Sequence, residues 1–124
     1  MLLENLYTTS LLETAPDRTS IRAVIMLNST HPIFEGHFPG NPILPGVCTV
    51  QIIKEMMEAS FGKPLLMTGA GNIKYLGFIN PVEMPELEFH LQLKDSVDRS
   101  IIACTATVSA KAITVCTLKG YFRS

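Results

Sequence analysis

The sequence predicts an α+β fold in which a single buried helix is wrapped by a long antiparallel β-sheet. Three observations carry this. One unbroken stretch, residues 47–61, has helical composition and a clear stop. The second half of the chain is a series of alternating, β-branched segments. Between the first strand and the helix lies a run dense in proline and glycine that neither element tolerates.

Taken in order, residues 20–27 (SIRAVIML) alternate Ile21, Ala23, Ile25 and Leu27 with Arg22, Val24 and Met26, the two-residue period of a strand. Next comes HPIFEGHFPGNPILPG, with prolines 32, 39, 42 and 45 and glycines 36, 40 and 46. It reads as a loop without regular helix or central strand, because proline lacks a backbone donor. Residues 47–61 (VCTVQIIKEMMEASF) form the helix, with Gly62 as its left-handed stop and Pro64 beyond it. Its first half is apolar nearly all round, which predicts burial on every side, with Val47, Val50, Ile53 and Met57 as a core stripe. Residues 86–94 place Leu87, Phe89, Leu91 and Leu93 on one strand face and Glu88, His90, Gln92 and Lys94 on the other. Residues 100–109 and 111–122 are further strands joined by a short link, as in antiparallel neighbours.

Composition narrows the class. A chain of 124 residues implies one domain, 1–124, and 47% hydrophobic content suffices for a sizeable core. With 10 Lys+Arg against 11 Asp+Glu there is no basic surplus for nucleic acid. No apolar run reaches the ~20 residues of a membrane span, and MLLENLYTTSLLET lacks a basic leader, so a cytoplasmic protein with neither nucleic-acid nor membrane partner is expected. Cys48, Cys104 and Cys116 have no ligand spacing and read as buried small hydrophobes, so no metal is expected. His31, before Pro32, and His90, on a polar strand face, read as solvated. Met56, Met57 and Met67 read as core filling in preference to an acyl tunnel.

The stretch Gly36-His37-Phe38-Pro39-Gly40-Asn41-Pro42-Ile43-Leu44-Pro45-Gly46-Val47 closely resembles the GHFPGxPxxPGV signature of the 3-hydroxyacyl-acyl-carrier-protein dehydratases, a hotdog-fold family. All nine fixed positions match. Phe78, Pro81 and Val82 are similar to a second segment of that family, FxxPVxPGD, although Ile79 and Asn80 replace its basic pair. The resemblance implies a hotdog fold, no cofactor, an acyl-carrier-protein or other acyl thioester substrate, and a homodimer, a trimer of dimers or a heteromer with a related dehydratase.

Eliminating water from a 3-hydroxyacyl thioester needs a base for the C2 proton, a donor for the departing hydroxyl and dipoles aimed at the thioester oxygen. His37 suits the base, since an imidazole is largely neutral at pH 7. The backbone N–H of Gly46 or Val47, opening the helix, suits the dipoles, and glycine lets a substrate approach closely. Phe38, Pro45, Val47 and Glu55 are expected to line the substrate site. In the resembling enzymes an acid lies five positions after the glycine of PGV; here that position is Gln51. An amide orients a hydroxyl without delivering a proton, so Gln51 is expected to position substrate. Three ways of filling the gap stay open: Glu55, one turn further on; His37 acting alone as base and then acid; or a competent partner chain, since the family's histidine and acid come from different subunits. Gln51, Lys54, Glu55 and Glu58, spaced i, i+3, i+4 and i+7, read equally well as a solvated stripe.

The expected function is dehydration of a 3-hydroxyacyl thioester, impaired at the acid position. The alternatives are a non-catalytic hotdog subunit that binds acyl chains or carrier protein beside an active partner, and a hotdog thioesterase that uses Glu55 or Glu58.

Overall fold

The computed structural model describes residues 4–98 and 100–124. Eight elements follow one another: β1 (Tyr7–Thr14), β2 (Ser20–Leu27), α1 (Ile33–Gly36), α2 (Gly46–Phe61), β3 (Leu66–Tyr75), β4 (Glu86–Asp95), β5 (Ile102–Ala110) and β6 (Ile113–Arg123). The six strands form one sheet in the order β1-β2-β4-β5-β6-β3, every pairing antiparallel. No helix among the described residues is long and apolar enough to cross a membrane.

Alternation decides which face of the sheet meets α2. Ile21, Ala23, Ile25 and Leu27 of β2 and Leu87, Phe89, Leu91 and Leu93 of β4 are all buried, and they join Cys104, Ala106 and Val108 of β5 and Leu118 and Phe122 of β6 in one core. A one-residue slip in any of these strands would expose the whole set, so burial fixes the register. The helix contributes Cys48, Ile52, Ile53, Met56 and Met57 to the same core. It ends at Gly62 in the left-handed region (φ 69°), whose N–H donates to the Glu58 carbonyl.

Several expectations are corrected. Helix α2 is not buried on every side: of the four positions assigned to the core stripe, Val47 is 72% exposed and lies off it, while Val50 is half-buried and packs against the core that Ile53 and Met57 enter. A single sheet packs on one side of a cylinder ~10 Å across, and the other side faces away from this chain's core. The proline-rich loop contains one helical turn, α1, because Pro32 sits in the right-handed region (φ −56°, ψ −24°) where its fixed φ is preset for a helix start. His31 is not idle: its Nδ1 accepts the N–H of Ile33 at 3.1 Å and its Nε2 donates to the Glu4 carbonyl at 3.1 Å. His90 is exposed, and it contacts Glu88 at 2.7 Å. Strands β1 and β3 carry weak alternation and escape sequence reading. Both are edge strands, and β3 holds Gly69 and Gly71 and two register shifts. The link between β5 and β6 is a two-residue turn, Lys111–Ala112, with both residues at positive φ (51° and 64°).

All three cysteines are buried and unpaired by disulfides. Burial pushes the Cys104 thiol from its ordinary value of 9.0 up to about 12, and raises Cys48 and Cys116 as well. The fold therefore favours the protonated thiol. Its contribution to stability is complete below pH 9 and is lost as the pH climbs toward about 12, because the unfolded chain releases the proton first. Thermal melts across this range are expected to show an alkaline fall that Cys104→Ala flattens. A thiol reagent at pH 8 should modify no cysteine before the chain unfolds.

Candidate active site

The loop before α2 is a clasp that holds His37. Phe38 N–H donates to the Asn41 carbonyl (3.0 Å) and Asn41 N–H returns to the Phe38 carbonyl (2.9 Å), closing a tight turn over Gly40, whose φ of 73° suits glycine. Outside that turn, Ile43 N–H donates to the His37 carbonyl at 2.9 Å. The His37 ring completes the pair: Nδ1 lies 3.0 Å from the Ile43 carbonyl. A carbonyl only accepts, so Nδ1 carries the proton and Nε2 keeps its lone pair. The ring also stacks on Phe38, with centroids 4.0 Å apart. Leu44 N–H then donates to the Ile79 carbonyl at 2.8 Å, tying the clasp to the segment after β3.

His37 lines a cavity of about 220 Å³ whose wall is mostly apolar, with Leu44, Gly46, Thr49, Tyr75 and Phe78 among its other residues. The start of α2 opens on this cavity through Gly46. Pro45 precedes it as the N-cap and supplies no side-chain cap; Cys48 N–H donates to the Pro45 carbonyl at 2.9 Å, and the N–H groups of Gly46 and Val47 keep their donor capacity. A hydrogen-bond acceptor in the cavity would meet a base with a fixed tautomer on one side and a helix N-terminus on another.

The expected site residues separate into two groups. His37 and Gly46 meet at the cavity. Phe38, Pro45, Val47, Gln51 and Glu55 do not line it. Phe38, 48% exposed, instead stacks on the outer face of His37, and Val47 points away from the core. For Gln51 the reason is helical geometry: at about 100° per residue it lies roughly 140° round α2 from Gly46 and roughly 160° from Thr49. The histidine and the position of the expected acid therefore occupy opposite sides of one helix. The role expected of Gly46 also changes. A Cβ there would come 2.6 Å from Tyr75 Cζ and 2.8 Å from its hydroxyl, so the missing side chain admits the Tyr75 ring. Burial pushes the Tyr75 hydroxyl up from its ordinary value, keeping it a donor at neutral pH.

Gln51 and Glu55 form a second cluster. Gln51 Nε2 donates to Glu55 Oε2 at 3.1 Å, and the Tyr7 hydroxyl of β1 donates to Glu55 Oε1 at 2.6 Å. The stripe expected on this face is thus half-buried and bonded: Glu58 accepts the N–H of Leu65 at 2.8 Å and pairs with Lys54 at 3.4 Å. Sequence reading missed Thr49, Tyr75 and Tyr7. Tyr75 carried a faint signal, three residues before Phe78 of the second family-like segment; Tyr7 carried none.

Residues 13–112 match the family described as ApeI-like, the ApeI dehydratase. The chain belongs to the ApeI-like dehydratase family. It is 37% identical over 87 residues to the 3-hydroxyacyl-[acyl-carrier-protein] dehydratase FabZ of Acetivibrio thermocellus, covering 63% of this chain and 58% of that one. It is also 37% identical over 68 residues to the FabZ of Zymomonas mobilis, covering 55% and 43%. The chain spans about half the length of these curated relatives. Among solved structures it resembles the dehydratase heterocomplex ApeI:P from Xenorhabdus doucetiae, with TM-score 0.70 and 16% identity over 94% of this chain and 97% of that one. It also resembles the (R)-hydratase from A. caviae, with TM-score 0.63 and 10% identity over 92% and 98%. These likenesses establish the α+β hotdog fold.

Proposed function

We propose that this protein is a hydro-lyase that eliminates water from a 3-hydroxyacyl thioester presented by acyl carrier protein. The observation that carries the reading is the His37 tautomer: Nδ1 bonded to the Ile43 carbonyl leaves Nε2 as the free lone pair in a cavity at the opening of α2. In the reaction the thioester oxygen accepts from the N–H of Gly46 or Val47, the developing enolate charge is stabilised by the helix start, and Nε2 takes the C2 proton. The apolar wall suits the acyl chain. Because Gln51 lies on the far side of α2 from the cavity, a complete site joins His37 of one chain to the Gln51 face of another. That favours a dimer, with a copy of this chain or with a related dehydratase. A cytoplasmic location goes with such a substrate.

A second reading rests on Gln51: a chain without the acid serves as the binding subunit beside an active partner. The thioesterase reading has less support, because Glu55 and Glu58 are each engaged by two partners.

The test is incubation of the purified chain with a 3-hydroxyacyl carrier protein, read by mass spectrometry. Loss of water that His37→Ala abolishes supports the lyase; hydrolysis of the thioester, or no change, overturns it. Gln51→Glu should raise the rate by about 10²-fold, since it places a carboxyl at the position of the missing acid.

A further inference from the structure

We propose that Tyr7 is a positioning residue for the elimination, holding the Gln51 amide through Glu55 so that Gln51 of one chain offers an acceptor to the 3-hydroxyl of a substrate bound at His37 of a second chain, with that His37 alone moving the proton. This rests on the dehydratase reading above and extends it to the question that the absent acid raises.

The argument starts from donors and acceptors. An ionised carboxylate only accepts. Glu55 has one oxygen occupied by the Tyr7 hydroxyl and the other by Gln51 Nε2, so the amide is oriented without ambiguity: nitrogen toward Glu55, Oε1 away from it. Tyr7 remains the donor in this pair, because burial and the neighbouring Glu55 carboxylate push its hydroxyl far above the ordinary range. The Tyr7 contact joins residues 48 apart and links β1 to α2, so it braces a side chain that helical spacing alone leaves free to rotate. The outcome is an acceptor fixed on the half-buried side of α2 away from the His37 cavity, with no proton to give.

An acceptor can bind the 3-hydroxyl hydrogen and set the direction of the C3–O bond. It cannot assist departure, so the proton must come from elsewhere. His37 holds it after the first step. Nε2 takes the C2 proton, the C2–H electron pair forms the C2=C3 double bond, the C3–O bond breaks, and the leaving oxygen takes the proton back from Nε2 as water. The atoms balance with no other reagent, provided the C2 hydrogen and the hydroxyl leave from the same face.

The test compares Tyr7→Phe and Glu55→Gln with the wild-type protein. In a ¹⁵N-labelled sample the Gln51 side-chain NH₂ pair should be shifted away from that of Gln92, the other glutamine of the chain and an exposed one, and should move toward it in both variants. In turnover of the 3-hydroxyacyl carrier protein, kcat should fall about tenfold in Tyr7→Phe with KM within about twofold of wild type, since carrier protein and acyl chain supply the binding. A lost brace that mattered only for stability would lower the melting temperature and leave kcat alone. An unchanged Gln51 signal or an unchanged kcat in Tyr7→Phe overturns the inference. A wild-type chain that binds its partner and never dehydrates overturns the dehydratase reading, a different result read in a different sample.

Discussion

His37→Ala lowers kcat/KM for a 3-hydroxyacyl carrier protein by about 10³-fold, the range expected when a positioned general base is removed. The expected loss is large because no second base stands in the cavity. Of its other lining residues, the titratable ones are Tyr75 and Cys116, and burial raises both, so each stays protonated and neutral at pH 7. The change should also cost the fold about 1 kcal/mol, since the Ile43 carbonyl loses its ring donor while the backbone bond from Ile43 N–H to the His37 carbonyl remains. Steady-state rates measured beside thermal melts separate the two effects. A variant within tenfold of wild type would place the base elsewhere.

Phe89→Ala carries the largest expected effect on stability, about 4 kcal/mol. Phe89 is fully buried on β4, a central strand, and its register partners are Ala23 on β2 and Val108 on β5. Ala23 is too small to fill the space a lost ring leaves, and both flanking strands are held to β4 by continuous ladders, so the cavity collapses poorly. Against a total of about 5–15 kcal/mol for a domain of this kind, this is a substantial fraction. Urea unfolding should show a lowered midpoint with an unchanged slope, and a loss under about 2 kcal/mol would mean that the core repacks.

How far each feature could be read in advance follows from the range of the interactions behind it. Strands β2, β4, β5 and β6 were legible because one buried face imposes a two-residue period that survives in any single strand. Helix α2 was legible from its composition and from Gly62, whose left-handed conformation is a local property. The GHFPGNPILPGV stretch marked His37 and Gly46, and the structure brings both to one cavity. Edge strands β1 and β3 were not legible, because each has a neighbour on one side only and little burial to impose a pattern.

What the chain's own order of residues determined, then, is the set of elements, the hotdog class that their order implies, and a histidine clasped in a proline-glycine loop ahead of a helix start. Tertiary structure alone decided which side of α2 the sheet covers, that Tyr75 occupies the space beside Gly46, and that Glu55 is bonded to Tyr7 rather than free to act as an acid. These depend on contacts between segments far apart in the chain. No periodicity or spacing encodes such contacts, because they exist only once the sheet has brought its strands and the helix together.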